Sequence, residues 1–332
     1  MKHIYVENQA GQPKYKQIVK SIEESLLNGS LRKGDKLPSI NEVRDRFSLS
    51  RDTVLMAFNE LKMRGIIESF SGKGYYVRSL DTDISQKIFV LFDELNAFKE
   101  DLYNAFLKSF SRDVEVDIYF HHFNIKVFEK LINESIGNYH YYVIMPANLK
   151  ETCEIIRNLP NDRVYILDQF PEELKVYPSV FQDFENDTFN SLSQLHVRLK
   201  KYSQLHLIFS EEKQPQGMLR GFKKFENYTD IPLHIHYSTE DVSVKSGHAY
   251  LVIDDRDLFK LLKLAKDSGL KIGKEIGIIS YNDTLYKELI EGGITTITTD
   301  FSEMGKTLAH MIKSNSKEKV INPNTLKIRN SL

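Results

Sequence analysis

The sequence predicts an α/β chain in two parts: a small helical head closed by a hairpin, and a large body of parallel sheets with flanking helices. Three observations carry this. Apolar residues recur at helical spacing before residue 65 and then give way to two short strands around a glycine-containing turn. From residue 87 the rhythm changes to apolar strand-like runs alternating with helical stretches, the pattern of βαβ units. The chain of 332 residues exceeds one ordinary domain, and a body of about 245 residues is large for a single sheet, so two lobes with a cleft are expected.

Between Lys14 and Asn28, Ile18, Ile22 and Leu26 fall four residues apart with Tyr15 and Val19 beside them, one apolar stripe of a helix that Gly29 closes. Arg32 to Asp35 reads as a turn leading into Leu37-Pro38. Ser39 and Glu42 have the spacing of a capping box, and the short helix they open ends near Phe47. Ser50 offers the next N-cap, and Val54, Phe58 and Leu61 line a third helix that stops at Gly65. Only Phe47-Ser48-Leu49 separates the second and third helices, a helix-turn-helix spacing. Strands at Ile66–Phe70 and Tyr75–Arg78 flank Ser71-Gly72-Lys73-Gly74 and complete a winged helix-turn-helix over residues 1–78. Polar residues 79–86 read as a linker, and 87–332 as the body.

In the body, strands are expected at Ile88–Phe92, Val114–Tyr119, Tyr141–Met145, Val164–Leu167, Leu205–Phe209, Leu233–His236, Tyr250–Ile253, Ile276–Ile279 and Ile294–Thr298. Helices are expected at Ala97–Phe110, Phe184–Lys200 and Leu258–Ser268, among others.

The formal net charge of −1 conceals an asymmetry. Residues 1–78 hold 14 Lys and Arg against 9 Asp and Glu, and the remainder holds 31 against 37. A basic head on an acidic body suits a nucleic-acid-reading module joined to something else. The single cysteine, Cys153, excludes an intramolecular disulfide framework and a cysteine-based zinc site, and fits a reducing cytosol. Residues 1–11 lack the apolar stretch of a secretory signal, and no run reaches the roughly 18 apolar residues that span a bilayer, so a cytoplasmic protein with no membrane partner is expected. No nucleophile elbow, Walker loop or dinucleotide fingerprint occurs, so neither an enzyme nor a cofactor is expected. His121-His122 and His234-x-His236 are the dense histidine clusters. The latter pair shares a strand face, but no third ligand follows at a recognisable spacing, and both clusters read as surface or core histidines rather than metal ligands.

A recognition helix must aim its first turn at base edges while neighbouring groups hold phosphate. Ser50-Arg51-Asp52-Thr53 occupies that position: Arg51 can fork to guanine or grip phosphate, and the Ser50 and Thr53 hydroxyls can donate to the backbone of DNA. Asn41 in the second helix is a further phosphate donor, and Lys73 at the glycine-flanked wing tip can enter the minor groove. Asp52 reads as a helix-start carboxylate favoured by the dipole. The order Pro13-x-Tyr15-x-x-Ile18, Leu27-x-Gly29-x-Leu31-x-x-Gly34-Asp35-x-Leu37-Pro38-Ser39, Leu49-Ser50-Arg51-x-Thr53-Val54 and Gly72-Lys73-Gly74-Tyr75-Tyr76-Val77 resembles the GntR family of bacterial transcription regulators over residues 10–78. The resemblance implies DNA contacts at Ser50, Arg51, Thr53, Ser71 and Gly72. Asn41 stands where that family often has Arg, which implies a different operator or fewer phosphate contacts.

The body resembles the lac-repressor and periplasmic sugar-binding type. Ala249-Tyr250-Leu251-Val252-Ile253-Asp254-Asp255, Ile276-Gly277-Ile278-Ile279-Ser280-Tyr281-Asn282-Asp283 and Ile294 to Phe301 carry the likeness, with Tyr165-Ile166-Leu167-Asp168 and Gly221-Phe222 upstream. Asp168, Asp254 and Asn282 each follow an apolar strand, and ligands of open α/β sheets bind at the carboxyl ends of strands. Carboxylates and amides there can bridge vicinal hydroxyls while rings cover an apolar sugar face. Asp93, Phe98 and Tyr281 are further effector candidates, and Phe301 reads as core. The family's effector-clamping Arg has Met218 in its place here, which implies either a neutral effector with no group needing that fork or another residue, such as Lys213, that supplies it; Asn282, where Asp is usual, points the same way.

Together these readings describe a sequence-specific DNA-binding regulator, a repressor of a sugar-utilisation operon. It is expected to bind operator DNA as a homodimer and to be controlled by a monosaccharide or derivative in the interlobe cleft. Two other readings stand beside it: a body that only dimerises, and a sugar-modifying enzyme fused to a DNA-binding head.

Overall fold

The computed structural model describes residues 3–7, 12–82 and 85–332. Part of the polar N-terminal stretch, and positions 83 and 84 of the expected linker, lie outside the described residues.

The head contains α1 (Lys14–Leu27), α2 (Ile40–Phe47), α3 (Arg51–Met63) and the antiparallel pair β1 (Ile67–Phe70) and β2 (Gly74–Val77). Ile18, Ile22 and Leu26 from α1 meet Val54, Phe58 and Leu61 from α3 in one buried cluster, which Val43, Ile67 and Val77 complete. The capping box forms as its spacing implies: Ser39 Oγ accepts from the Glu42 N–H at 3.2 Å, and Glu42 Oε2 from the Ser39 N–H at 2.7 Å. Between α2 and α3, Ser48 turns the chain with a left-handed φ of 50°. Gly34 to Leu37 lie along β2 through backbone bonds such as Leu37 N to Tyr75 O at 2.8 Å, so the wing rests on the head's own loop.

The body is two six-stranded sheets. In chain order its elements are β3 (Gln86–Phe92), α4 (Ala97–Lys108), β4 (Val114–Phe120), α5 (Ile125–Ser135), β5 (Tyr141–Ile144), α6 (Thr152–Ile156), β6 (Val164–Asp168), β7 (Ser179–Phe181) and α7 (Phe184–Leu199). These are followed by β8 (Gln204–Ile208), α8 (Gln216–Glu226), β9 (Leu233–His236), β10 (His248–Val252), α9 (Asp255–Asp267), β11 (Gly277–Tyr281) and α10 (Leu285–Leu289). The last elements are β12 (Thr295–Thr299), α11 (Phe301–Ser314), β13 (Lys319–Ile321) and β14 (Asn324–Lys327). The N-terminal lobe has strand order β13-β7-β6-β5-β3-β4, all parallel. The C-terminal lobe has order β14-β12-β11-β10-β8-β9, parallel except for β14. Strands buried on both faces need continuous apolar runs, which is why most were visible as such. Gln86, expected in the linker, is already the first residue of β3.

The chain crosses between lobes three times: after β7 at Gln182-Asp183, after β12 at Asp300, and between β13 and β14 at Asn322-Pro323. Asn322, almost fully buried, ties the three together. Its N–H donates to Phe181 O at 2.7 Å, and its side-chain amide donates to Thr299 Oγ1 at 2.6 Å and Asp300 O at 2.9 Å. Because of the crossings, α7 packs into the C-terminal lobe's core with Phe222 and Phe225 of α8, whereas α11 returns to pack Met304 and Leu308 against Leu102 and Phe106 of α4. Close helix approach needs glycine at these seams: a Cβ at Gly221 would lie 2.3 Å from Glu185 O, and one at Gly305 2.4 Å from Leu102 O.

The segment after β14 locks the C-terminal lobe. Arg329 forks onto Asp283 with N–O distances of 2.7 and 2.9 Å, Lys327 joins at 2.8 Å, and Ser331 Oγ donates to Ile278 O at 2.6 Å. Burial alone would raise the Asp283 carboxyl, but the hydrogen bonds from Arg329, Lys327 and Thr296 outweigh it and hold it well below the usual range. Arg329→Met leaves this mostly buried carboxylate without its fork. It is expected to lower stability by about 3 kcal/mol, read as a drop in chemical-denaturation midpoint with an unchanged slope.

Candidate functional site

The first turn of α3 stands at the surface. Arg51 is exposed, and Ser50 caps the helix, its Oγ accepting from the Thr53 N–H at 3.1 Å while sharing a 2.7 Å hydrogen bond with Thr53 Oγ1. One hydroxyl proton of this pair is used internally and one is left to donate outward. Asn41 is exposed on the second position of α2. Ser71, Gly72 and Lys73 form the exposed wing tip, where Gly72 has φ +70° and a Cβ there would meet nothing within 4 Å. All seven residues assigned to DNA contact are thus at the surface or, for Thr53, partly buried. Arg44 is held by Asp45 at 2.7 Å, and the Arg46 guanidinium lies 5.6 Å from the Phe47 ring centre.

In the body, Asp168 of one lobe lies within electrostatic reach of Tyr281 of the other. Asp168 and Asn282 end their strands in the left-handed region, with φ of 71° and 58°, which Asp and Asn tolerate better than most residues. Asp168 Oδ1 accepts from Gln182 Nε2 at 2.6 Å. Burial pushes its carboxyl up to about 6, Lys99 partly offsetting this and Asp93 adding to it. Asp93 is itself buried and ion-paired with buried Lys99. From the other lobe, Tyr281 is fully buried beneath Phe184, and burial with the neighbouring carboxyls of Asp187, Asp168 and Asp183 raises its phenol far above its ordinary range. Asn282 Oδ1 and Gln182 Oε1 are buried without a protein hydrogen-bond partner. Lys287, 2 % exposed, donates to the carbonyls of Tyr281 and Asn282 at 2.8 Å each and pairs with Asp255 at 2.6 Å, fixing the loops after β10 and β11.

Two candidates have visible structural employment. Asp254 caps α9, accepting from the Arg256 N–H at 2.7 Å. Phe98 stacks on Phe301 with ring centres 4.8 Å apart, at the rim of the N-terminal lobe's core. Met218, where a clamping Arg was missed, is buried in the C-terminal lobe's core. Arg220, one residue before Gly221, lines a groove of about 1120 Å³ that runs between loops 147–154 and 169–174 of one lobe and residues 211–220 of the other. It is paired there with Glu185 at 2.7 Å. Asn148 donates across this groove to Gln214 O. Lys99, Gln182 and Asn322 were missed in the sequence, where a lone Lys, Gln or Asn at a strand or hinge carries no periodic or motif signal.

Carboxylates gather around Asp168 and Tyr281: Asp93 acts on Asp168, and Asp168, Asp183 and Asp187 act on Tyr281. Of the cations nearby, Lys99 is engaged by Asp93 and Arg220 by Glu185, and Lys150 also lines the interlobe groove. Burial and Asp183 push the Asp187 carboxyl up to about 7. The raised Asp168 carboxyl has a stability consequence. Its folded value lies above the ordinary 3.8, so its contribution is favourable below that value and lost as pH rises through about 6. Asp168→Asn is therefore expected to raise the unfolding midpoint at pH 7.5, with the gain shrinking toward pH 4 in a pH series of thermal melts.

A basic helix-turn-helix head on a hinged two-lobe body with a polar cleft is the architecture of a ligand-responsive DNA-binding regulator. Comparison with known proteins agrees: residues 14–77 match the family described as bacterial regulatory proteins, gntR family, and residues 196–332 match the periplasmic binding protein-like domain. The chain carries a GntR helix-turn-helix domain and a periplasmic-binding-protein-like domain. It is 24% identical to the arabinose metabolism transcriptional repressor of Geobacillus stearothermophilus, over 93% of each chain. It is 21% identical to the regulator GalR of Streptococcus thermophilus, over 69% of this chain and 82% of that one. Among solved structures, it is similar in fold to a lac repressor dimer bound to operator and an anti-inducer (TM-score 0.61, 16% identity, 74% of this chain and 93% of that one). A LacI family regulator from Enterococcus faecium with bound ribose is also similar (TM-score 0.59, 18% identity, 74% and 98%). No helix among the described residues is long and apolar enough to cross a membrane.

Proposed function

We propose that this chain is a non-enzymatic cytoplasmic repressor of sugar-utilisation genes that binds a palindromic operator as a homodimer and is released by an uncharged monosaccharide in the interlobe cleft. The observation that carries the proposal is that Asp168 of one lobe lies within electrostatic reach of Tyr281 of the other, and that Gln182 Oε1 and Asn282 Oδ1 are buried with no protein partner. Such atoms are costly to bury unpaired and are suited to hydroxyl groups of a ligand. Head 1–78, a linker that ends before β3, and the body from Gln86 to 332 are the working units of this reading. Asn41, Ser50, Arg51, Thr53, Ser71, Gly72 and Lys73 contact DNA in it, and Asp93, Phe98, Asp168, Asp254, Tyr281 and Asn282 form the effector site.

The similarity to an arabinose repressor and to a ribose-bound fold neighbour supports the sugar class. The excess of carboxylates and the absence of Arg at Met218 favour an uncharged sugar over a phosphorylated one, which would bring like charge to a buried site. Phe259 on α9 and Leu285, Tyr286 and Leu289 on α10 are large apolar side chains left exposed and available to the second copy. The discriminating experiment is calorimetry of the whole chain against a panel of pentoses and hexoses and their phosphates. Binding of one uncharged sugar with no heat from its phosphate is expected; a phosphate that binds more tightly than its parent sugar overturns the effector class, and turnover of the bound sugar overturns the non-enzymatic reading.

A further inference from the structure

The groove between the lobes is larger than one sugar ring needs. Its volume of about 1120 Å³ exceeds the roughly 300–1,000 Å³ of pockets that enclose a drug-sized ligand. The lobes already touch beside it: Asn148 donates to Gln214 O, and Lys213 Nζ of the C-terminal lobe stands 5.7 Å from the ring centre of Phe123 in the other. The space is therefore present with the lobes in contact. It adjoins the effector residues. Gln182, 6 % exposed, donates from Nε2 to Asp168 Oδ1 at 2.6 Å and keeps Oε1 without a protein partner, and it also lines the groove. Buried Gln169, next to Asp168 in the chain, lines it too.

We propose, on the sugar-sensing reading above, that this groove is a subsite for a second uncharged sugar unit. The effector bound most tightly is then a disaccharide or short oligosaccharide, its terminal unit at Asp168 and Asn282 and its next unit against Phe170 and Phe181. A monosaccharide fills the inner part alone. Phe170 and Phe181 meet with ring centres 4.7 Å apart, and both are half-buried and line the groove. A sugar lays its C–H face on such rings while its hydroxyls reach amides and carboxylates at the rim. Asn148 and Glu154 from one lobe and Gln216 from the other supply these. Gln182, in contact with Asp168 and with the groove, stands where the linkage between the two units passes.

The charges around the groove disfavour an anionic unit. Glu151, Glu154, Glu173, Asp183, Glu185 and Glu211 line it against two cations, Lys150 and Arg220, and Arg220 is engaged by Glu185. A phosphorylated or carboxylated unit would meet like charge there. Asp183 is occupied as well, accepting from the Asn186 N–H at 3.2 Å and from its side-chain amide at 2.7 Å. A unit in the groove lies between loops 147–154 and 169–174 of one lobe and residues 211–220 of the other. Its affinity therefore depends on how the lobes are set, and the longer ligand carries more of the differential affinity that release requires.

The test is calorimetry of the full-length chain against matched sugars: glucose with maltose and cellobiose, xylose with xylobiose, arabinose with arabinobiose, and galactose with lactose. One disaccharide is expected to bind about tenfold or more tightly than the monosaccharide it contains. Gln216→Trp, at an exposed position of α8, fills the groove. It is expected to bring that disaccharide down to the affinity of the monosaccharide, whose own Kd stays the same. Phe170→Ala is expected to weaken the disaccharide about tenfold and to leave the monosaccharide unchanged. A monosaccharide that binds as tightly as every disaccharide containing it overturns the subsite and leaves the sugar-sensing reading standing. Wild-type disaccharide affinity in both variants also overturns the subsite. No heat from any sugar overturns the subsite and the sugar-sensing reading together. Tighter binding of the polyamine spermidine than of every sugar overturns the uncharged ligand class.

Discussion

Arg51→Ala is expected to weaken operator binding by about 30-fold to 10⁴-fold while leaving the fold intact. Arg51 is exposed at the first position of α3, outside the buried cluster of Val54, Phe58 and Leu61 that holds the helix. A bidentate arginine contact with a guanine edge is worth about 1–3 kcal/mol. A dimer on two half-sites loses it twice, about 2–6 kcal/mol in all. If Arg51 reads a base, the variant also loses discrimination at that base pair. If it holds phosphate instead, affinity falls evenly across sequences and the salt dependence becomes shallower by about one unit per half-site. Anisotropy titrations at two salt concentrations, on an operator selected from random duplexes, distinguish these. Full operator affinity in the variant would remove the assignment of α3 as the reading helix.

The second large effect is expected in the cleft. Asp168→Asn and Asn282→Gly should each lower effector affinity about 30- to 100-fold, from hydrogen bonds of about 2–3 kcal/mol to a polar, partly charged site, with operator affinity unchanged. These replacements are chosen for the backbone: both positions have positive φ, where Asn and Gly are tolerated and Ala is strained. In a repressor, the outcome is a protein that stays on DNA in the presence of its sugar. Asp168→Asn should combine weaker ligand binding with greater stability at neutral pH, because the buried carboxyl is destabilising there in the absence of ligand. Weaker sugar binding together with lower stability would mean that Asp168 is a structural group.

The head was legible almost residue by residue, because its signals are local. The Ser39 and Ser50 caps, the four-residue apolar spacing and the Gly72 turn each act within a few residues, and all appear where expected. Most body strands were legible as apolar runs. β7 is only three residues long, and β13 and β14 mix exposed and half-buried residues at sheet edges, so they left no comparable trace. The hinge was invisible for a different reason. Asn322 acts by joining three crossings, the first more than a hundred residues upstream of the other two, and its neighbours have no pattern of their own. The same holds for the pairing of Lys99 with Asp93, and for His206 and His248 beside His234 and His236: strand order, which sequence spacing does not encode, brings them together. Asp254 shows the opposite case, a strand-end carboxylate that the family pattern placed in the effector site and that visibly caps α9.

Release by a sugar needs coupling between the cleft and the head, which requires the sugar to bind the operator-bound and operator-free arrangements with different affinity. The most direct measurement is the operator affinity of the full-length chain with and without each uncharged monosaccharide at saturating concentration. The prediction is that one pentose or hexose lowers operator affinity by at least tenfold, that its phosphate does not, and that Asp168→Asn needs about 30- to 100-fold more sugar for the same release. Operator affinity unchanged by every sugar, in a chain that still binds its operator tightly, would contradict it.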